Sequence, residues 1–266
     1  MKAPPELTAR DEARINVLVE HFLANKPKFV SLLEQLNSSL SNDATLTGLV
    51  HSIKSRVKDP GHLKEKLERK MKGAKKRKES FDVTVENFFE RFNDLAGLRI
   101  LHLHTRQFRS IHECLMRIFE EDKYDLVEGP IARTWDDESR KFFKEIGIDT
   151  KDSPSMYTSV HYVIAPNKKS RITCEVQVRT LAEELWGEVD HTINYPDESP
   201  SLPCREQIKV LARATSSCTR LVDSIFRSHE DYERQKRSAR AASAEPQKAR
   251  RGRSRKPPKP TSPVNH

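Results

Sequence analysis

Four short stretches in the middle of the chain carry side chains of the types and spacing that phosphate chemistry needs. In segment 173–180 (TCEVQVRT), a strand would turn Cys174, Val176 and Val178 to one side and Glu175, Gln177 and Arg179 to the other. A carboxylate, an amide and a guanidinium would then line one surface, although a solvated strand face shows the same alternation. Asp94 precedes an apolar strand in 91–100 (RFNDLAGLRI), beside the small residues Ala96 and Gly97. An acid in that position suits a magnesium ligand or a turn. Magnesium usually takes one or two protein carboxylates and completes its shell with water and phosphate oxygens, so Asp94 with Glu175 would suffice. Tyr157, Ser159 and His161 fall on one face of a further strand. There the ring could stack on a base or simply cover a strand end. Arg56, Lys58 and Lys66 supply cations for phosphates, in a run that would equally suit a solvated helix.

The chain has no GxxxxGK[ST] loop, no GxGxxG and no kinase signature, so side-chain cations rather than a glycine cradle would have to hold phosphate. His102, His104 and Cys114 lack the second ligand pair of a zinc site.

The elements that must position these groups show in the hydrophobic spacing. Apolar residues at helical intervals predict amphipathic helices over 13–23 (Ile15, Leu18, Val19, Phe22) and 28–40 (Phe29, Leu32, Leu33, Leu36), and a very polar helix over 63–78. Short β-branched or alternating runs predict strands at 95–104, 159–165 and 172–179, with a helix through Phe108, Ile111, Leu115 and Phe119 between the first two. Thr180 with Glu183 three residues on forms a capping box that opens a helix ended by Tyr195 and Pro196. A last helix is expected over 206–228. Beyond Arg234 no apolar face remains, which predicts a disordered tail.

Charge is segregated in the same way. The net charge of +9 resides in the last 33 residues, where 11 Lys or Arg meet a single acid, Glu245, leaving residues 1–233 near −1. The body thus has no global field to steer a polyanion, while the tail suits RNA or, equally, serves solubility or a weak nonspecific anchor. With 35% hydrophobic residues, no apolar run long enough for a bilayer and no signal-peptide pattern at the start, the chain is expected in the cytoplasm, away from membranes. Four scattered cysteines are expected to be free thiols, mostly buried.

Three motifs in register, 93–100 (NDLAGLRI), 157–162 (YTSVHY) and 175–180 (EVQVRT) with Trp186 and His191, make residues 50–226 resemble the synthetase domain of the RelA/SpoT family. That resemblance implies an α/β (α+β), nucleotidyltransferase-like fold, a mixed β-sheet flanked by helices; together with the spacing and composition above, it divides the chain into helices over 1–49, the synthetase domain over 50–228 and the basic disordered tail over 229–266. It also implies an enzyme of the GTP diphosphokinase type. With magnesium, such an enzyme moves a pyrophosphoryl group from ATP to the 3′-hydroxyl of GDP or GTP, making (p)ppGpp. Asp94 would bind the metal, and Glu175 would assist it or take the hydroxyl proton. Arg56, Lys58 and Lys66 would surround the ATP phosphates, and Tyr157, His161, Gln177 and Arg179 would hold the acceptor.

The sequence departs from the family pattern at 152–157 (DSPSMY), where Ser153, Ser155 and Met156 replace the usual Lys, Asn and Gly. Lys151 would then supply the missing charge. His62 replaces a usual serine. Two other readings stay open: a toxin-type synthetase that pyrophosphorylates the 3′ end of tRNA, and a degenerate nucleotide-binding module. No hydrolase or regulatory domain is expected, and self-association would fit the small single-function members.

Overall fold

A computed structural model describes residues 6–195 and 198–252. The chain divides into two compact units, residues 1–220 and 221–266.

Helix α1 (Ala9–Asn42) is one element rather than the two expected, with Pro27 inside it. Its buried stripe, Ile15, Leu18, Phe22, Phe29, Leu32, Leu33, Leu36 and Leu40, keeps one face on both sides of the proline. An interior proline costs about 3 kcal/mol. Burying each large apolar side chain returns about 1.5–3 kcal/mol, so eight of them outweigh the break. A capping box between Thr8 and Asp11 starts the helix.

There follow α2 (Ala44–Leu49), β1 (Ser52–Val57), α3 (Pro60–Arg77), α4 (Phe88–Arg91), β2 (Ala96–His102), α5 (Phe108–Glu121), β3 (Asp125–Thr134), α6 (Asp137–Glu145), β4 (Asp149–Asp152), β5 (Ser159–Ala165), β6 (Cys174–Thr180), α7 (Leu181–Asn194) and α8 (Leu202–Gly252). The six strands form one mixed sheet in the order β1-β2-β6-β5-β3-β4, parallel at β2/β6 and β3/β4 and antiparallel elsewhere.

The two-residue period gives the sheet unlike faces. Leu98, Ile100, Val160, Tyr162, Ile164, Val176 and Val178 are buried in one core with the stripes of α1 and α5. The Tyr162 hydroxyl lies 2.9 Å from His112 Nδ1 on α5, so the buried phenol is satisfied. On the opposite face, register aligns Lys54, Arg99, Gln177 and His161 in one row across four strands, and Arg56, Gly97, Glu175 and Val163 in the next. Helix α7, opened by the Thr180–Glu183 capping box, packs on part of this polar face.

The sequence does not announce β1, β3, β4 or α6. Strand β3 is irregular at Gly129-Pro130, with register shifts on both sides of Glu128. Gly129 has φ +93°, and a Cβ there would run into the His161 carbonyl oxygen, so only glycine suits this bulge.

The final helix also runs past its expected end near 228. Within the second unit its sequence is rich in Arg and Ala, and Asp231–Arg234 and Glu233–Lys236 form ion pairs at i,i+3, so local propensity carries it beyond the apolar stripe. Positions 253–266 of the tail expectation lie outside the described residues. All four cysteines are free, but only Cys114 and Cys174 are buried; Cys204 is half-buried and Cys218 exposed. Among the described residues, no helix is long and apolar enough to cross a membrane.

Candidate active site

Asp94 sits at the turn into β2, where two cations converge on it. Strand β1 runs antiparallel to β2, and the Lys58 amide donates to the Leu95 carbonyl (2.8 Å), which brings Lys58 beside Asp94. Asp59 then caps α3 by accepting from the Gly61 and His62 amides, and two turns later Lys66 projects to the same place. Lys58 Nζ lies 2.8 Å and Lys66 Nζ 2.6 Å from Asp94 Oδ2. Burial pushes the Asp94 carboxyl up, but the Lys66 and Lys58 charges outweigh it and hold it at about 2.

Glu175, on β6, is held at both oxygens. His161 Nδ1 lies 2.7 Å from Oε1, and Gln177 Nε2 donates to Oε2 (2.8 Å). The Tyr157 hydroxyl in turn donates to Gln177 Oε1 (3.2 Å), so Tyr157, Gln177, Glu175 and His161 form one continuous hydrogen-bonded chain. Burial raises the Glu175 carboxyl, yet the His161 and Gln177 bonds bring it below its ordinary value. Both carboxylates are therefore ionised at neutral pH. Among the described residues His161 Nε2 is buried with no hydrogen-bond partner.

Two cavities meet on these residues. One, of about 390 Å³, is lined among others by Lys66, Arg91, Asn93, Glu128, Arg133, Tyr157 and His161. The other, of about 290 Å³, is lined by Lys54, Ser55, Arg56, Gly97, Leu98 and Arg99. Asp94, Glu175 and Gln177 line both.

Arg179 and Lys151 stand apart from this centre. The Arg179 guanidinium is buried in an ion pair with Glu184, 5.6 Å from the Tyr157 ring centroid. Gly187 on α7 makes room for it, since a Cβ there would lie 2.6 Å from Arg179 Nη1. Arg179 thus supports the tyrosine from a third cavity of about 270 Å³, beside Trp186 and His191. Lys151 is exposed on β4, 3.9 Å from Glu128, and lines none of these cavities. Its strand neighbour Arg133 does line the 390 Å³ cavity.

Sequence reasoning passed over Arg91, Arg99, Glu128, Arg133 and Glu184. Arg99 had a signal, because strand alternation from Gly97 puts it on the open face, where it pairs with Glu184 (3.3 Å) and Glu188. Glu128 and Arg133 had none, because the bulge in β3 breaks the alternation that would have aimed them.

Among the described residues, no group of three or more His, Cys, Asp or Glu side chains is arranged to hold a metal. A magnesium ion needs only one or two carboxylates. Asp94 and Glu175, both ionised hard oxygen donors on the wall common to two cavities, fit that requirement.

GTP pyrophosphokinase YjbM of Bacillus subtilis (strain 168) is 27% identical over 138 residues, covering 50% of this chain and 55% of that protein. GTP pyrophosphokinase YwaC of the same organism is 25% identical over 174 residues, covering 61% and 70%. The chain thus spans about half the length of the first relative and 70% of the second. The crystal structure of the small alarmone synthetase 1 from Bacillus subtilis superposes with a TM-score of 0.53 at 20% identity, over 81% of this chain and 97% of that one. The same synthetase bound to its product pppGpp gives 0.51 at 19% identity, over 79% and 95%. At such identities the likeness shows the mixed α+β fold. The model of the region found in RelA/SpoT proteins matches residues 55–200, more than half of the chain and the whole stretch from Arg56 on β1 to α7, and so the chain belongs to the RelA/SpoT family.

Proposed function

We propose that the chain transfers a pyrophosphoryl group from ATP to the 3′-hydroxyl of GDP or GTP. The observation that carries this reading is the pair of cavities sharing Asp94, Glu175 and Gln177: two polar sites, each in the size range of small-molecule pockets, with their common wall made of the groups that phosphoryl-type transfer requires. The names of the relatives support it.

In this reading ATP occupies the 290 Å³ cavity, with Arg56, Lys54 and Arg99 around it, and its phosphates reach the common wall at Asp94, where Lys58 and Lys66 converge. The acceptor occupies the 390 Å³ cavity, its base against Tyr157 and its phosphates toward Arg133 and Arg91. Magnesium, held by Asp94 and Glu175, would neutralise charge on the transferred group. Glu175, oriented by His161 and Gln177, takes the proton of the attacking hydroxyl. Its lowered proton affinity makes it a weak base, which suits a loose transition state that needs positioning more than deprotonation. The hydroxyl oxygen attacks the β-phosphorus of ATP, the bond to the α-phosphate oxygen breaks, and AMP leaves.

The local charge of +10 from Arg234 onward favours one rival acceptor, the 3′ end of tRNA. Incubating the purified chain with γ-labelled ATP, magnesium and GDP, GTP, ATP or deacylated tRNA separates the two. Labelled 3′-pyrophosphorylated guanosine nucleotide with release of AMP is expected. Label in tRNA alone, or transfer to no acceptor, would sink the proposal.

A further inference from the structure

Met156 has left-handed backbone, φ +62°. A Cβ disfavours that conformation, and methionine has no short polar side chain to compensate by bonding locally, as Asn or Asp can. Something outside the backbone must therefore hold it. The turn supplies part of the restraint: the Met156 amide donates to the Ser153 carbonyl (2.9 Å), and the Tyr157 amide donates to Ser153 Oγ (3.2 Å). The rest comes from the Met156 side chain, which packs with Tyr157 and Leu211 against a buried cluster of Trp186, Ile208 and Ala212.

This cluster joins the turn to the first part of α8, which is itself fixed on both sides of the site. Trp186 Nε1 on α7 donates to the Ile208 carbonyl (3.1 Å). Beyond the strand-to-helix junction after β3, buried Asp136 accepts from Ser216 Oγ (2.6 Å) and Arg220 Nη1 (2.7 Å) on α8, while also capping α6. Thr134, two residues before Asp136, bonds Thr158, the residue after Tyr157 (3.1 Å). The turn that carries Tyr157 is thereby gripped from α7, α8 and the end of β3.

We infer that Met156 is a positioning residue: wedged against Trp186, Ile208 and Ala212, it holds the 153–157 turn in a strained shape and so fixes the Tyr157 ring at the acceptor cavity. The role in acceptor binding rests on the function proposed above; the clamp itself does not.

The two are separated by measuring hydrogen exchange at the Met156 and Tyr157 amides, together with equilibrium affinity for GDP and for the non-hydrolysable ATP analogue AMPCPP, in the full chain and in Met156→Leu, Met156→Gly and Met156→Ala. Alanine keeps the backbone penalty and loses the packing, so it should exchange fastest, by about tenfold or more over wild type. Glycine, which loses the packing and also the penalty, should fall between alanine and wild type, and leucine should stay near wild type. The alanine variant's GDP affinity should drop several-fold with AMPCPP affinity unchanged, and leucine should restore it. Exchange at wild-type rates in both alanine and glycine variants, or faster exchange in glycine than in alanine, overturns the clamp. Equal weakening of GDP and AMPCPP overturns the positioning role. A wild-type chain with no affinity for GDP removes the acceptor reading instead, while the order of exchange rates still decides the clamp.

Discussion

Asp94→Asn keeps the shape of the side chain and removes the charge on which Lys58 and Lys66 converge. The carboxyl is lowered from 3.8 to about 2 in the fold. A shift of that size corresponds to about 2 kcal/mol of stability at neutral pH. Because the folded-state value is the lower one, this stabilisation is complete above the unfolded value of 3.8 and is lost as the pH falls toward 2. The variant should therefore unfold about 2 kcal/mol more easily at pH 7, with a thermal midpoint roughly 4–8 °C lower. Urea unfolding of both proteins, followed by circular dichroism at several values between pH 7 and pH 2, reads the difference directly, and the difference should shrink between pH 4 and pH 2. Transfer activity at pH 7 should fall at least about 100-fold, since the same carboxylate is assigned to the metal. A stability gap that stays constant across the acid range would refute the ion pairs as its cause, and an asparagine variant as stable as wild type at pH 7 would refute the magnitude.

Two further outcomes follow from where the cations lie. Arg133→Ala should raise the KM for GDP or GTP several-fold while leaving the KM for ATP near its wild-type value, and Lys151→Ala should change neither; steady-state kinetics with each substrate varied in turn would show the reverse if the acceptor charge came from β4. Glu184→Gln leaves the buried Arg179 guanidinium without its counter-charge and should cost about 3 kcal/mol of stability. The loss should be smaller than the sum of the single changes once Arg179→Gln is added, and strict additivity in that double-mutant cycle would deny the coupling.

The parts of the fold legible in the sequence were those whose periodicity is uninterrupted. Segments β2, β5 and β6 alternate cleanly or run apolar through the core, α5 keeps a strict stripe, and α7 opens on its capping box, although Leu185 and Ile193 of its expected stripe are exposed. Strand β1 (SIKSRV) was missed because it lies at an edge of the sheet with three of its six residues exposed, so it carries too little apolar signal to announce a strand. Strand β3 was missed because Gly129-Pro130 splits its pattern, and β4 because DTKD carries no hydrophobic residue at all. The single helix α1 was divided at Pro27, a local rule that tertiary burial on one continuous face overrides.

The same distinction runs through the site. Asp94, Glu175, Gln177 and His161 could be picked out from types and alternation within single segments, but the row Lys54–Arg99–Gln177–His161 exists only once four strands are in register. The altered loop shows the consequence most clearly. Read as sequence, Ser153 and Met156 are losses, a missing cation and a missing glycine. In the fold, Ser153 accepts from the Met156 and Tyr157 amides, Met156 ties the turn to Trp186 and α8, and a cation stands on β3 at Arg133, twenty-four residues before the tyrosine with which it lines the same cavity. Under the proposed function, substitutions that look like erosion of a motif along the chain become a transfer of its tasks to other elements, and only contacts that cross the sheet tell which element would take each one.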